Sequence, residues 1–528
     1  MNPHRIARPL LACWPLLLSA CAVSVPAPDV AVTAPASWMT AVPAGQSAAP
    51  AVSAASAGSS ATTDPAQQAT LPHAGSPAQL RAWWQQWNDP VLLHLLDSAQ
   101  QASPGVAAAA TRVAQARHAV VSAGAAGSPA VNAAAGVGRS VSLVNTPPLT
   151  QASAGLQVAW ELDLFGGQQA AATAADQRLQ ASQAQWHEAR VAVAAEVARQ
   201  YVGWRSCQQM LRIARADAQA RDTVARLTQD RARAGFESPA NAALAQASAA
   251  QGRMLVTQQQ AGCDAALQGL AALTAIDAAA LKQQLQAGSV PPEAVATAKV
   301  DQKGRANLTD PSSANSLFSA DLPVLPDNAL PQVLPARLLA QRPDVWAAQR
   351  GVAAASADVG SAQADRYPRL GLSGQITAIG TRGAGGDGQT WSVGPLQLSL
   401  PLFDAGRRAS QVQVQQAAYD EAVLAYRASV RTAVREVEQA LLALHSTAAR
   451  QADAAIATQG FVRALQAATD RHRAGLGSLL ELEDTRRSAL AAEQALADLS
   501  RERLLAWVDL YRAYGGGWAQ PAASASAS

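Results

Sequence analysis

Two carboxylates in the C-terminal part of the chain have a spacing that suits joint binding of a cation. Glu481 and Asp484 are about one helical turn apart and follow Gly475 by six and nine residues, so that one face of a helix would carry both. Rings of carboxylates at a constriction are a device by which channels hold cations. If several copies of the chain surrounded one pore, these carboxylates would form such a ring and act as a pore gate. An ordinary solvated helix face is the alternative.

Two of the four cysteines are placed symmetrically about a glycine. Cys207 precedes Gly235 by 28 residues, and Cys263 follows it by 28 residues. In an antiparallel helical hairpin that turns at Gly235, both cysteines lie at the same height. If the chain lies in the oxidising periplasm, we expect the two cysteines to form a disulfide that links the two helices. Two buried free thiols are the alternative.

No other group of residues favours catalysis or a bound cofactor. The seven histidines are scattered without the spacing of metal ligands, and the glycines of 383–388 precede no helix that could hold a phosphate. The 41 basic residues are balanced by 38 acidic residues, which leaves no basic excess for nucleic acid. We expect no catalytic residue, no metal or other cofactor, and no nucleic-acid partner.

The N-terminal residues predict export and a lipid anchor. Residues 1–20 contain two arginines, an apolar stretch and small residues before Cys21, as a secretory signal peptide does. The tetrapeptide 18–21 resembles the bacterial lipobox, in which Cys21 becomes the lipidated first residue; ordinary cleavage beside a chance cysteine is the alternative. Ala22, rather than an aspartate, resembles the pattern of lipoproteins sent to the outer membrane. Residues 21–80, rich in Ala, Ser, Thr and Pro, predict a flexible tether.

After this tether, the sequence contains two copies of a unit of about 240 residues. Residues 231–238 match 471–478 at an offset of 240, and residues 162–165 match 400–403 at an offset of 238. Separated matches at nearly one offset indicate a duplication. The predicted segments are 1–20 (signal peptide), 21–80 (tether), 81–286 (first repeat), 287–340 (proline-rich linker), 341–518 (second repeat) and 519–528 (disordered tail).

Each repeat has the same order of predicted elements. A first helix begins at Asp89-Pro90 or near Pro343, and a strand hairpin follows it. The strands with the clearer alternation of apolar and polar residues cover 156–164 and 396–402, with weaker partners near 131–144 and 370–379. Proline-free helices cover 168–234 and 407–474, and each turns at a glycine and returns for about 35 residues. A helix of this length spans about 100 Å.

These elements predict a membrane conduit that is built from several copies of the chain. No run of about 18 apolar residues is present, which excludes a single membrane-spanning helix. Four strands cannot close a barrel by themselves, and an open edge in lipid leaves backbone groups unpaired. Symmetric association must therefore complete the set of strands.

The sequence resembles the trimeric outer-membrane efflux proteins, in particular the lipid-anchored branch that serves resistance-nodulation-division pumps. The marks of the resemblance, spread over nearly all of 80–518, are Trp83-Trp84 with Asp89-Pro90, Trp160 to Gly166, Arg342 to Val345, Leu402-Phe403 with Gly406-Arg407, and Tyr511 to Trp518. The resemblance implies a mainly α fold with a small β part. Each subunit would supply long coiled-coil helical hairpins and four transmembrane strands, completed in a homotrimer to a twelve-stranded barrel and an α-helical tunnel.

The resemblance also implies partners and roles for residues. The tunnel would meet a periplasmic adaptor (membrane fusion) protein and an inner-membrane pump, with the acidic pair near its entrance. The adaptor-contacting tips would be Gly235, Phe236, Gly475 and Leu476. Asn241 and Gly477 stand where some relatives place a closing Asp and Arg, so no such lock is transferred to this chain.

We expect a passive exit duct in the outer membrane, part of a tripartite efflux pump that expels drugs or other small toxic compounds. A type I secretion duct is the alternative, and a periplasmic coiled-coil adaptor lipoprotein is a weaker one. The alternating strands favour a duct, because the strands of an adaptor would form a small closed soluble domain.

Overall fold

The computed structural model describes residues 25–31, 35, 38–40, 83–140, 149–287, 342–382 and 387–517. The predicted signal peptide, Cys21, nearly all of the 287–340 linker and the 519–528 tail lie outside these residues. The described residues fall into two compact units. The first unit consists of the described residues within Met1–Thr33, Ala109–Gln185 and Asp344–Val430. The second unit consists of those within Ala34–Ala108, Trp186–Pro343 and Arg431–Ser528. Each unit combines segments of both sequence repeats, so a repeat is not itself a compact unit.

The chain is mainly helical with one small sheet, as predicted. In chain order the elements are α1 (Pro90–Ala102), α2 (Pro104–Ala125), β1 (Ala130–Ser140), β2 (Leu149–Leu162), α3 (Gly167–Arg233), α4 (Pro239–Thr274), α5 (Ala278–Ala287), α6 (Pro343–Ala364), β3 (Arg369–Arg382), β4 (Gly388–Ser399), α7 (Arg407–Arg473) and α8 (Leu479–Ala513). The long helices α3 and α7 have 67 residues each, and the returning helices α4 and α8 have 36 and 35. Both predicted rods and both returning helices are therefore confirmed.

The first unit contains a four-stranded antiparallel sheet in the order β1-β2-β3-β4. The two predicted hairpins thus join through β2 and β3. The register places apolar side chains of all four strands on one face. They are Val131, Val137, Leu156, Val158, Trp160, Leu370, Leu372, Ile376, Trp391, Val393, Leu396 and Leu398. The opposite face is polar or small, with Asn132, Gln157, Gln375, Thr377, Thr390 and Gln397 among its residues.

Both outer strands of this sheet have an unpaired edge. Within the part of the chain that the structure describes, β1 pairs only with β2, and β4 pairs only with β3. The apolar face is also open in the single chain, since Val137 is 79% exposed and Trp391 is 77% exposed. A soluble sheet normally buries such a face. The sheet therefore requires both an apolar surrounding and further strands.

The strands end earlier than the sequence alternation predicts. β2 stops at Leu162 rather than at residue 164, because Asp163 Oδ2 accepts from the backbone N–H of Gln169 (2.8 Å) near the start of α3. β4 stops at Ser399 rather than at residue 402, where Pro401 has no N–H to donate to a ladder. The alternation of apolar and polar residues, which includes Leu164 and Leu402, thus extends beyond the ends of the paired strands.

Part of the predicted tether packs on the first unit. Ser356 Oγ donates to the Pro26 carbonyl (2.7 Å), and Tyr419 Oη donates to the Ala27 carbonyl (2.9 Å). Val30 packs against Val352, Val359 and Tyr419. Side-chain donors and an apolar patch hold residues 25–31, so this stretch is docked rather than flexible.

The second unit has an aromatic core that joins separated parts of the chain. Trp83 and Trp507 have ring centroids 4.6 Å apart, as have Trp84 and Tyr511. Arg342 Nη1 donates to the Ala513 carbonyl (3.1 Å) in the same unit. Three of the sequence marks of the resemblance, which start at Trp83, Arg342 and Tyr511, therefore contribute to one core.

Among the described helices, none is by itself long and apolar enough to cross a membrane. Helices α4 and α5, which are bent by 109° at the break between them, reach that length and composition only as a pair.

Candidate functional site

The two helical tips have the same backbone geometry. Gly235 and Gly475 have φ angles of +79° and +74°, in the left-handed region that favours glycine. In both tips, the backbone N–H of the residue after the glycine donates a hydrogen bond back across the turn. Phe236 donates to the Arg231 carbonyl (2.8 Å), and Leu476 donates to the Arg471 carbonyl (2.9 Å). This pattern is the Schellman motif, which ends a helix and reverses the chain. The glycines are therefore needed for the turn itself.

Each tip then starts its returning helix with a serine cap and exposes one apolar side chain. Ser238 Oγ accepts from the N–H of Asn241, and Ser478 Oγ accepts from the N–H of Glu481, both at 3.1 Å. Phe236 is 77% exposed and Leu476 is 81% exposed. An apolar side chain held open on a rigid turn is available to another protein.

The predicted gate residues lie on one exposed face of α8, and each has a cationic neighbour. Glu481 is exposed and forms an ion pair with Arg471 across the tip. Asp484 is 74% exposed, and its Oδ1 lies 3.0 Å from Nη2 of Arg487. The sequence prediction included the two carboxylates but not the two arginines. The spacing of Asp484 and Arg487, three residues apart in a helix, was the available signal for one of them.

Asn241 and Gly477 do not form a lock in the described chain. Asn241 Nδ2 donates to Glu237 Oε1 (2.7 Å) within its own tip. This amide group holds the pKa of the Glu237 carboxyl below its usual value. The carbonyl of Gly477 lies 3.2 Å from Nδ1 of His472. Both positions thus stabilise their own turns.

A buried cluster of charged side chains joins the two hairpins near the tips. Its members are Asp217 and Arg221 of α3, Ser248 of α4, and Glu483 and Arg486 of α8. The four ionised side chains are only 5% to 8% exposed. Two arginines and two carboxylates balance each other, so the cluster as a whole is neutral.

The contacts in this cluster are short and connect three helices. Arg221 Nε lies 2.7 Å from Asp217 Oδ2, and Arg486 Nη1 lies 2.7 Å from Glu483 Oε1. Ser248 Oγ donates to Glu483 Oε2 at 2.5 Å. Glu483 therefore holds α8 to α4, and the 3.5 Å contact between its Oε2 and Arg221 Nη1 extends the connection to α3.

Low solvent access around this cluster also affects a neighbouring acid. Burial, together with the nearby charge of Asp217, raises the pKa of Glu493 above its usual value. Sequence reasoning missed this cluster. A signal was present: Glu483 and Arg486 occupy the same helical stripe as the apolar Leu479, Leu482 and Ala489, all of which are buried.

The structure also joins Cys207 of α3 to Cys263 of α4. Their Cα atoms are 5.4 Å apart, and their sequence separation is 56 residues. The distance between the Cα atoms is within the usual range for a disulfide. The bond would tie α3 to α4 far along the hairpin from its tip at Gly235.

Comparison with known proteins identifies the family. Residues 95–280 and 334–516 match the family described as outer membrane efflux protein. The chain therefore belongs to the outer membrane efflux protein family, which is a family of efflux channels and not of enzymes.

Individual relatives agree with this assignment. Outer membrane protein OprJ of Pseudomonas aeruginosa is 30% identical over 367 residues, 68% of this chain and 68% of OprJ. The pyoverdine export outer membrane protein OpmQ of Pseudomonas putida is 30% identical over 478 residues, 87% of this chain and 94% of OpmQ. The solved outer-membrane channel OprN aligns with a TM-score of 0.70 and 28% identity, covering 82% of this chain and 92% of OprN. The protein is an efflux channel of the outer membrane.

The cysteine pair is tested by mass mapping. We expect digestion without reductant to yield one peptide pair joined through Cys207 and Cys263, with no alkylated thiol at either position. Removing the bond with Cys207→Ser and Cys263→Ser should lower the free energy of unfolding by about 2–4 kcal/mol, because the unfolded chain regains the freedom of a long loop. Alkylation of both thiols in the unreduced protein would contradict the pairing.

The buried cluster is tested by comparing neighbouring acids of α8. Glu483→Ala should lower the free energy of unfolding by about 3 kcal/mol, because it leaves buried arginines without their counter-charge. Asp484→Ala removes an exposed acid one residue away and should cost less than about 0.5 kcal/mol. Urea unfolding of the detergent-solubilised protein, followed by circular dichroism at the helical minimum, measures both. Equal losses in the two variants would show that the cluster does not hold the hairpins together.

Proposed function

We propose that three copies of the chain form a passive exit duct, which a periplasmic adaptor joins to an inner-membrane resistance-nodulation-division pump. The observation that carries this proposal is the four-stranded sheet with one apolar face and two unpaired edges. In lipid, each unpaired backbone group costs several kcal/mol. The sheet therefore has to close by pairing β1 of one copy with β4 of the next.

The closed arrangement also accounts for the two faces of the sheet. Side chains that face lipid in a transmembrane barrel are apolar, and those that face an aqueous lumen are polar or small. In the sheet described above, Leu156 and Ile376 share the apolar face, whereas Gln157 and Gln375 share the other. Twelve strands from three copies would enclose a lumen lined with amides, hydroxyls and small residues. Such a lining suits diffusion of varied small solutes without tight binding.

The tips supply the periplasmic end of the duct. Around a threefold axis, Glu481 and Asp484 would place six carboxylates at the entrance, where they would attract cations. Arg471 and Arg487 pair with them in the single chain, so they limit the net charge of this ring. The exposed Phe236 and Leu476 are the proposed contacts with the adaptor. Small tip turns of equal geometry would offer the adaptor similar sites on both repeats.

The docked N-terminal stretch supports lipidation of Cys21. Val25 packs against Gly360 of α6, where an added Cβ would lie 3.2 Å from Val25 Cγ1. Helix α6 ends at Ala364, just before β3 begins at Arg369. The four residue-to-residue steps from Cys21 to Val25 can span about 13 Å, which would let a lipid on Cys21 reach the membrane surface at the base of the sheet. Mass spectrometry of the N-terminal peptide tests this proposal. The peptide of the unmodified protein should carry the extra mass of a lipid, and the peptide of the Cys21→Ser variant should lack it.

Two observations favour small-compound efflux over the other candidate functions. The related OpmQ is named for the export of pyoverdine and not for the secretion of a protein. An adaptor would bury its strands in a closed soluble domain, whereas residues such as Val393 (81% exposed) remain open here. A type I secretion duct has the same architecture and remains the second candidate.

Planar-bilayer recording tests both the channel and its gate. The purified trimer should conduct, and multivalent cations added on the periplasmic side should block it. Glu481→Ala with Asp484→Ala should weaken that block several-fold, because it removes the proposed carboxylate ring. Asp498→Ala is the matched control, since Asp498 is also exposed on α8 and pairs with Arg501 three residues later, but lies farther from the tip.

The outcomes separate the duct from the gate. Absence of any conductance in a correctly folded trimer would contradict the duct itself. Normal conductance with an unchanged block in the double variant would contradict only the assignment of Glu481 and Asp484.

A further inference from the structure

The strand segments carry few charges, and these are confined to the two ends of the sheet. Over 130–162 and 369–399 the sequence has five charged residues: Glu161, Arg369, Arg139, Arg382 and Asp387. The first two lie at the end of the sheet that leads into the helices, and the other three lie at the far end. The band between these ends is uncharged.

The two arginines of the far end share one row and one face. Arg139 of β1 pairs with Thr150 of β2, which in turn pairs with Arg382 of β3. Because alternate residues of a strand point to the same side, both arginines are on the apolar face with Val137 and Ile376. They are two strands apart, a distance of about 10 Å.

The charges at the near end are compensated within the chain. Arg369 Nη2 lies 2.5 Å from Asp365 Oδ1, and its Nε lies 3.9 Å from Glu161 Oε1. At the far end, the acid Asp387 accepts at Oδ1 from the backbone N–H of Thr381 (2.9 Å). Among the residues that the structure describes, neither Arg139 nor Arg382 forms an ion pair. The far end therefore has an excess of positive charge.

The height of the apolar band sets where these arginines meet the membrane. From Leu370 to Arg382, β3 rises by about 40 Å, or about 30 Å along the normal for a strand tilted by roughly 40°. That is the thickness of the hydrocarbon core. With the apolar face in lipid and the helices in the periplasm, Arg139 and Arg382 reach the headgroups of the outer leaflet.

We propose that Arg139 and Arg382 form a binding site for a phosphorylated glycolipid of the outer leaflet. This inference rests on the proposed duct, in which the apolar face meets lipid. A guanidinium group donates two parallel hydrogen bonds to one phosphate, and it keeps its charge at the membrane surface. Two such groups about 10 Å apart suit two phosphates on one large headgroup. Three copies would present six arginines around the rim.

Native mass spectrometry of the intact, detergent-solubilised channel tests this site. The probes are diphosphoryl lipid A, the same lipid after removal of its phosphates, and phosphatidylglycerol. The channel should retain diphosphoryl lipid A several-fold better than either other lipid, and Arg139→Gln with Arg382→Gln should abolish that preference. Arg369→Gln, which removes an arginine at the other end of β3, should keep it.

Equal retention of the dephosphorylated lipid, or of phosphatidylglycerol, by the unmodified channel would overturn the site without any variant. An unchanged preference in the double variant would overturn it as well. Bilayer conductance of the same preparations keeps the two proposals apart. Normal conductance without lipid selectivity contradicts the lipid site alone, whereas a preparation of folded trimer without conductance contradicts the duct.

Discussion

The unpaired edges of the β1–β4 sheet are the constraint on which the rest of the structure depends. A single chain has strands of membrane-spanning length, an apolar face and two rows of free backbone donors and acceptors. Neither water nor lipid can satisfy all three features at once, because water opposes the exposed apolar face and lipid opposes the open edges. Pairing between copies removes the conflict, and the apolar face then becomes the surface that holds the channel in the membrane.

Charges are used sparingly and in two distinct ways. In the buried cluster, Glu483 and its neighbours connect α8 with α3 and α4, where each partner depends on the others for its counter-charge. On the exposed face of the same helix, Glu481 and Asp484 pair with arginines in a solvated setting where the attraction is weak. The buried set can fix the positions of the hairpins, and the exposed set can respond to ions and to a docking partner.

The elements with strong periodic patterns could be predicted from the sequence. Alternation identified β2 and β4, the absence of proline identified α3 and α7 to within one residue of their ends, and the tip glycines marked both turns. These features follow from local rules of backbone geometry. The strand ends were less predictable, because Asp163 is committed to the start of α3 through a contact that alternation does not encode.

Features that depend on packing between distant segments were missed. The cluster around Arg221 and Glu483 joins positions 262 residues apart, and no pattern in one segment identifies the other partner. The docking of residues 25–31 was missed for the same reason, since their composition favours a tether while their carbonyls find donors on α6 and α7. The acidic pair of the candidate gate was predictable because it lies within one helical turn. Its partner Arg471 lies on the other side of the tip.

Cross-linking between outer strands tests most directly whether copies of the chain complete one another's sheets. Ala134 of β1 and Thr390 of β4 lie in the same row of the sheet, yet within one chain they are three strands, or about 14 Å, apart. Because tilted strands stagger the register around a closed barrel, a cysteine at Ala134 is combined in turn with a cysteine at Thr390 and at successive positions along β4. With a short thiol cross-linker in the membrane, at least one of these pairs should give covalent products that end at three chains. Monomers cross-linked only within themselves, or ladders that extend beyond three chains, would contradict the closed threefold channel.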